Sequence, residues 1–131
     1  MSNSISLLIS RIFLAILFIP AGIQKFGAIE GTAGYISAMG LPAGTTLAWL
    51  AAIFEVVAGI AILVGFQTRI ASYLLAAFCL FTGYVFHYSA AAGDASGMQM
   101  IMFMKNIAVA GGFLALAAAG AGAYSVDAKR A

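Results

Sequence analysis

Four long apolar runs constrain this chain more than any other feature of its sequence. They cover roughly residues 5–24, 45–64, 70–88 and 100–123. A helix that crosses a lipid bilayer takes about 20 mostly apolar residues, so each run is long enough to be one. Hydrophobic residues make up 64% of the chain and charged residues 8%, whereas a soluble domain has about 45–50% and about 25%. We therefore predict an all-α membrane protein in which residues 1–131 form one antiparallel bundle of four transmembrane helices.

The connections between the runs differ in kind. Residues 25–44 form a Gly-rich segment with a proline at Pro42, and this is the only connection long enough to fold back into a cavity. Residues 65–68 predict a tight turn, so that the second and third helices form an antiparallel hairpin. A loop of small residues with Asp94 joins the third helix to the fourth.

The charged residues predict an orientation in the membrane. Arg69, Lys129 and Arg130 fall on one side of the predicted bilayer, whereas Glu30 and Asp94 fall on the other. Short cytoplasmic loops of membrane proteins carry an excess of lysine and arginine. The bias is modest but consistent, and it predicts that both termini are cytoplasmic.

The net charge and the counts of cysteine and histidine exclude several classes of protein. The net charge is +2 and there is no basic run, which argues against binding to a nucleic acid. The single cysteine, Cys79, excludes an internal disulfide and a CxxC pair. The single histidine, His87, cannot supply a bis-histidine haem or a conventional zinc site. With no haem, iron–sulfur or zinc motif, any redox chemistry needs a bound small molecule or a partner protein to hold the electrons.

A methionine-rich stretch raises the question of copper. Met98, Met100, Met102 and Met104 alternate just before Lys105, and the only histidine is nearby in the sequence. Thioethers together with an imidazole can hold Cu(I). A Met-rich helix start that packs against lipid or protein is much commoner, so we predict no metal site.

The main functional signal is a set of ionisable and polar residues at membrane depth. Such residues cost about 2.5–3.5 kcal/mol each on insertion scales, so they normally face the bundle interior and pair with one another. Helical spacing places several of them in the outer half of one bundle, as a candidate pocket of mixed charge. The predicted pocket comprises Lys25, Glu55, Tyr84, His87, Lys105 and Asn106. The same residues are also compatible with a purely structural network that ties the helices together.

A second, smaller polar cluster is predicted at the inner end of the bundle, from Arg11, Arg69 and Tyr73. Arg69 and His87 are 18 residues apart, which is five full turns of an α-helix, so the third helix is expected to carry one interior polar face. Arg11 has an alternative interpretation, in which its long side chain reaches the membrane interface.

Many of these positions belong to one pattern that runs over about 120 residues. Its members are Arg11, Gly22, Lys25, Phe26, Gly40, Leu41, Pro42, Glu55, Gly59, Leu63, Gly65, Thr68, Arg69, His87, Phe103, Lys105, Asn106, Gly111, Gly112, Gly120, Gly122, Ser125 and Asp127. In order and spacing the chain resembles the DoxX family of small four-helix membrane proteins. The resemblance implies a bacterial-type cytoplasmic (inner) membrane protein. Relatives in this family are linked to quinone-dependent oxidation of thiosulfate and to membrane complexes that handle oxidative stress.

Two hypotheses about function follow, and the sequence does not separate them. The first is a redox-associated subunit that binds quinone or another small ligand in the polar pocket, as part of a quinone-linked oxidoreductase rather than a self-sufficient enzyme. The alternative is a non-catalytic accessory or assembly subunit of a larger membrane complex, or a homo-oligomer. A small transporter or channel is a third option, but four spans without an inverted repeat are few for alternating access. The resemblance brings no agreed set of catalytic residues.

Overall fold

The structure of the chain, a computed structural model, describes residues 2–130. Six helices follow one another there, and their bounds are α1 (Asn3–Phe26), α2 (Ile29–Ala38), α3 (Gly44–Val64), α4 (Thr68–Ala91), α5 (Met98–Ala119) and α6 (Val126–Arg130). Four of them, α1, α3, α4 and α5, are long and apolar enough to cross a membrane. The prediction of an all-α fold with four transmembrane helices is therefore confirmed.

Two helix pairs build the bundle, and small residues let the first pair approach closely. A Cβ atom added at Gly22 of α1 would lie 2.9 Å from the carbonyl oxygen of Ala52 and 3.0 Å from the amide nitrogen of Val56. A Cβ atom added at Gly59 of α3 would lie 2.8 Å from Cγ1 of Ile19. Glycines at these crossings allow the two backbones to touch, which is a common basis of helix association in membranes. The second pair is α4 with α5.

The apolar core lies toward the end of the bundle that holds the termini, which we call the terminal side. Ile62, Leu75 and Phe113 are fully buried there, and the ring of Phe18 packs 5.5 Å from that of Phe113. These residues come from late in α3 and α5 and early in α4, so the core fills the terminal half of the bundle. The opposite end, which we call the loop side, is less densely filled.

The C-terminal segment fastens the turn between α3 and α4. The carboxylate of Asp127 accepts hydrogen bonds from the backbone N–H of Gln67 (2.7 Å) and of Thr68 (2.9 Å). The N–H of Asp127 in turn donates to the carbonyl of Gly65 (2.8 Å). Burial raises the pKa of the Asp127 carboxyl, but the donors from Thr68 and Gln67 outweigh it, so its pKa lies below the ordinary value.

Three local features differ from the sequence prediction. The fourth transmembrane helix ends at Ala119 rather than near residue 123, because Gly120 adopts φ 82° and its backbone leaves the helix. The long connection at residues 25–44 contains a helix of its own, α2. In addition, residues 83–88 of α4 form a π-helical turn, in which hydrogen bonds span five residues instead of four.

Candidate ligand cavity

A cavity of about 680 Å³ lies on the loop side, between the α1–α3 pair and the α4–α5 pair. Drug-sized ligands and cofactors occupy cavities of about 300–1,000 Å³. Most of the side chains that line this cavity are aliphatic or aromatic. Toward the core, the ring of Phe78 lies 5.1 Å from that of Phe54 and 6.4 Å from that of Phe18. These three rings separate the cavity from the packed core.

Helix α2 covers the cavity on the loop side. The hydroxyl of Tyr35 donates to the carbonyl of Phe86 (3.3 Å), and the two rings stack at 5.2 Å. Ile36 of α2 is 6% exposed and lines the cavity at its loop-side end. A Cβ atom added at Gly44 would lie 2.6 Å from the carbonyl oxygen of Ala33, so α2 rests directly on the start of α3. The predicted fold-back of residues 25–44 is thus observed.

The most buried charges at the cavity form an ion pair between α1 and α3. The Nζ atom of Lys25 lies 2.9 Å from Oε2 of Glu55 and donates a hydrogen bond to Oε1 (3.2 Å). The side chain of Glu55 is 6% exposed and that of Lys25 is 29% exposed. Both residues line the cavity. The pair therefore places a carboxylate and an ammonium group against an otherwise apolar surface.

Asn106 lines the cavity but uses its donors within the protein. Its Nδ2 donates to the carbonyl of Cys79 (3.0 Å) and to Oγ1 of Thr82 (3.2 Å). Thr82 Oγ1 donates in turn to the carbonyl of Phe78 (2.8 Å). A Cβ atom added at Gly83 would lie 3.0 Å from Cβ of Asn106, so this asparagine packs on the first residue of the π-helical turn. Its contacts are those of a residue that shapes the cavity wall.

His87 also lines the cavity, and it is held by the start of α5. Its Nδ1 lies 2.7 Å from Oε1 of Gln99, an arrangement in which Nδ1 carries the proton and donates. The N–H of Gln99 donates to the carboxylate of Asp94 (2.8 Å). Hydrogen bonds from Ser96 and from Gln99 lower the pKa of Asp94. Gln99 was not among the predicted pocket residues, because the sequence shows only a polar side chain just before the fourth apolar run.

Lys105 differs from the other charged residues at the cavity. It is partly buried and lines the cavity from α5. Within residues 2–130 it makes no salt bridge, and no side-chain hydrogen bond is formed by its ammonium group. A cation in these surroundings is a donor for a ligand oxygen, because ammonium groups at membrane depth need a partner.

Tyr84 does not reach the cavity, contrary to the sequence prediction. It is 61% exposed and stacks on Tyr88 at 5.7 Å, on the outward side of α4. The expected interior face rested on regular α-helical spacing between Arg69 and His87. Tyr73, Leu80 and Tyr84 share one face of α4 and are all exposed, so the predicted stripe is the outward face, while the small side chains of Ser72 and Cys79 point inward. The π-helical turn at residues 83–88 changes the spacing beyond this stripe, and His87 lines the cavity.

The predicted inner cluster is likewise not assembled. Tyr73 is 57% exposed and Arg69 is exposed. Arg11 is fully buried. Its guanidinium donates to two backbone carbonyls, of Leu63 (3.2 Å) and of Tyr124 (2.5 Å). Arg11 therefore joins α1 to the end of α3 and to the C-terminal segment.

Comparison with known proteins identifies similar chains. The family model described as DoxX matches residues 6–88. The chain is 44% identical over 125 residues to the inner membrane protein YqjF of Escherichia coli (strain K12), covering 95% of this chain and 92% of that protein. It is 40% identical over 127 residues to the inner membrane protein YphA of the same strain, covering 96% and 91%. CatD of Bacillus subtilis (strain 168), whose name carries the word oxidoreductase, is 33% identical over 75 residues, or 57% of this chain and 54% of CatD. No solved structure gives a significant match.

Proposed function

Because this chain belongs to the DoxX family of integral membrane proteins, we propose that it is a redox-associated subunit that binds a quinone, or a small ligand of the same kind, in the cavity on its loop side. The electrons come from or go to a partner protein in the membrane, since a quinone needs an electron donor or acceptor with which to react. The name of CatD supports a link to oxidoreductases within the family.

The observation that carries this proposal is the combination of volume and polarity in one cavity. About 680 Å³ of mostly apolar space holds a substituted ring and the first part of a tail. A quinone ring needs an apolar slot with one or two hydrogen-bond donors at its carbonyl oxygens. Lys105 is a donor without a partner in the described part of the chain, and the Lys25–Glu55 pair lies on the same cavity.

The residues of the chain would have distinct tasks at such a ligand. The ammonium of Lys105 donates to one carbonyl oxygen and so fixes the position of the ring in the cavity. The Lys25–Glu55 pair offers an ammonium group that can give a proton and a carboxylate that can take one, and both line the same cavity as Lys105. A bound quinone would supply two-electron, two-proton chemistry. Asn106 and Gln99 position the cavity wall and His87, respectively.

Orientation in the membrane is part of the same proposal. The curated relatives YqjF and YphA are inner membrane proteins by name, and four helices of this chain are suited to a bilayer. With an excess of basic residues on the terminal side, both termini lie in the cytoplasm. The cavity and its cover α2 then lie in the outer half of the inner membrane.

Quinone content of the purified protein tests the proposal. The protein is purified in a mild detergent, its lipids are extracted, and quinone is measured against protein by chromatography and mass spectrometry. We expect bound quinone in the wild type and its loss in Lys105→Ala and Glu55→Ala. Arg69→Ala is the matched control, because Arg69 is exposed and lies away from the cavity. Absence of quinone, together with no binding of added quinol analogues, refutes the proposal.

A second candidate function is an accessory subunit of a larger membrane complex. One observation favours it: the polar groups of Asn106 and of the Lys25–Glu55 pair are used between helices of the same chain. In that case these residues serve to orient the bundle and bind no ligand. A stoichiometric partner recovered by crosslinking and purification in a gentle detergent, with no quinone in the complex, supports this candidate, and a lone homo-oligomer in every detergent contradicts it.

A further inference from the structure

We infer that the cavity opens sideways into the lipid, between α3 and α4, and that its ligand is therefore a membrane-dissolved amphiphile whose tail extends through this opening. The identity of the head group rests on the proposed function. The opening itself does not, and the experiments below separate the two.

Residues that line the cavity and also face the bilayer define the opening. Leu50 of α3 is 57% exposed, and Leu74 and Phe81 of α4 are 53% and 54% exposed. All three line the cavity. We call this set the lateral opening. Each of these side chains borders the cavity and has more than half of its surface accessible, as expected where the wall between the cavity and the lipid is incomplete.

The helix packing explains why the wall is incomplete at this place. Helix α3 packs mainly against α1 and α2, and α4 packs mainly against α5. The two helices α3 and α4 are joined by a tight turn on the terminal side at residues 65–67. With different main partners, they separate toward the loop side, where the cavity lies.

Specific contacts narrow the cavity at its two ends. On the loop side the Tyr35–Phe86 hydrogen bond and ring stack hold α2 against α4. On the terminal side the rings of Phe18, Phe54 and Phe78 pack together. The gap between α3 and α4 has an exposed lining that is entirely apolar, so we assign ligand entry from the membrane to it.

Polarity along the cavity sets the direction of the ligand. The lateral opening is apolar, whereas the charged groups come from the inner face of α3 and from α1 and α5, which lie behind it. A polar head therefore binds at Lys105 and at the Lys25–Glu55 pair, and an apolar tail leaves past Leu50 and Phe81, with Leu74 about 10 Å farther toward the terminal side. A ligand of this class combines an oxygen-bearing head with one long hydrocarbon or isoprenoid chain.

The first experiment compares two quinones that share a ring and differ in the tail. Binding of decylubiquinone and of its tail-less ring, 2,3-dimethoxy-5-methyl-1,4-benzoquinone, is measured on the full chain in lipid nanodiscs. The test variants Leu50→Trp and Leu74→Trp fill the lateral opening. The controls on the same helices are Ile53→Trp and Leu80→Trp, because Ile53 and Leu80 are exposed and neither lines the cavity. We expect the Kd of the tailed compound to rise by about tenfold in the first two variants, with the tail-less ring unaffected.

Two results of this experiment overturn the inference. One is an equal loss of both quinones in Leu50→Trp and Leu74→Trp, which indicates a collapsed site. The other is an unchanged Kd of the tailed compound in these variants. If the wild type binds neither quinone, the proposed function fails, and the second experiment decides about the opening.

The second experiment needs no ligand and uses a cysteine placed in the cavity, Ala51→Cys in a Cys79→Ala background, because Ala51 lines the cavity and is partly exposed whereas Cys79 is 3% exposed and too buried to report on access. Alkylation of this cysteine by a lipophilic maleimide and by a sulfonated, membrane-impermeant one is followed in proteoliposomes by mass spectrometry. We expect labelling by the lipophilic reagent, slowed several-fold in Leu74→Trp and unchanged in Leu80→Trp. Labelling by the impermeant reagent alone, no labelling at all, or equal rates in the two variants contradicts a lateral opening.

Discussion

Loss of one partner of the Lys25–Glu55 pair is predicted to destabilise the protein unequally, depending on which charge remains. In Lys25→Met the carboxylate of Glu55 stays at a position where its side chain is 6% exposed. In Glu55→Gln the ammonium of Lys25 stays, but its side chain is 29% exposed and lies near the end of α1. A lysine at a helix end can extend its ammonium to the membrane interface, whereas a glutamate in the middle of α3 cannot.

The expected magnitudes follow from this difference in burial. Removing one partner of a buried ion pair costs about 3–5 kcal/mol, since the remaining charge stays without compensation, and Lys25→Met falls in this range. Glu55→Gln costs about 1–2 kcal/mol, because the ammonium relaxes toward the interface and the amide keeps part of the hydrogen bonding. The double variant is destabilised by less than the sum of the two, with a coupling energy of about 2–3 kcal/mol.

Equilibrium unfolding in bicelles with increasing dodecyl sulfate measures the four proteins of this cycle. Helix content by circular dichroism and the fluorescence of Trp49, the single tryptophan, report on unfolding. Arg69→Met is the matched control, because it also replaces a cation by methionine but at an exposed site, and it is expected to change stability by less than about 0.5 kcal/mol. Equal costs for the two single variants, or strict additivity in the double variant, would refute the reasoning.

Three further predictions concern other parts of the bundle. Asp127→Asn is expected to lower stability by about 1–2 kcal/mol, because the carboxylate that accepts from two N–H groups at the start of α4 is lost. Since the pKa of Asp127 is lowered in the folded state, its contribution to stability is present above the ordinary carboxyl pKa and is lost as the pH falls below about 4. The unfolding temperature of the wild type is therefore expected to fall in this pH range, and that of Asp127→Asn to fall less. Gly22→Leu is expected to cost more than about 3 kcal/mol, since its side chain would meet backbone atoms of α3, whereas Gly31→Leu, where nothing lies within 4 Å, leaves unfolding nearly unchanged. Asn106→Ala is expected to cost about 1–3 kcal/mol by loss of the bonds to Cys79 and Thr82; an effect below that of an exposed alanine variant such as Arg69→Ala would contradict its structural role.

The sequence predicted the helices well because a bilayer imposes a length on each of them. It also predicted the charged residues at the cavity, Lys25, Glu55 and Lys105, since charges at membrane depth must face the bundle interior. Lys25 and Glu55 are in contact as this reasoning requires. Whether these residues bind a ligand stays a prediction.

The errors came from contacts between residues far apart in the sequence. Tyr84 was placed inward with His87 by regular α-helical spacing, but the face that Tyr84 shares with Tyr73 and Leu80 is exposed. A π-helical turn that begins at Gly83, against which Asn106 packs from another helix, separates His87 from that face. Arg11 was paired with Arg69 and Tyr73 by position along the membrane. Its partners are instead backbone carbonyls, of Leu63 and Tyr124, and backbone acceptors leave no mark in the residue types of a sequence.

The two ends of the bundle differ: hydrogen bonds fasten the terminal side, whereas the loop side holds the cavity, and the cavity depends on that fastening. On the terminal side, Arg11 and Asp127 bind the α3–α4 turn through backbone groups and hold the hairpin closed. Because this end fixes the relative position of α3 and α4, the same helices can separate on the loop side without loss of the bundle. A cavity with an incomplete wall is stable only if the hairpin is fastened elsewhere, so the C-terminal segment contributes to the cavity without touching it.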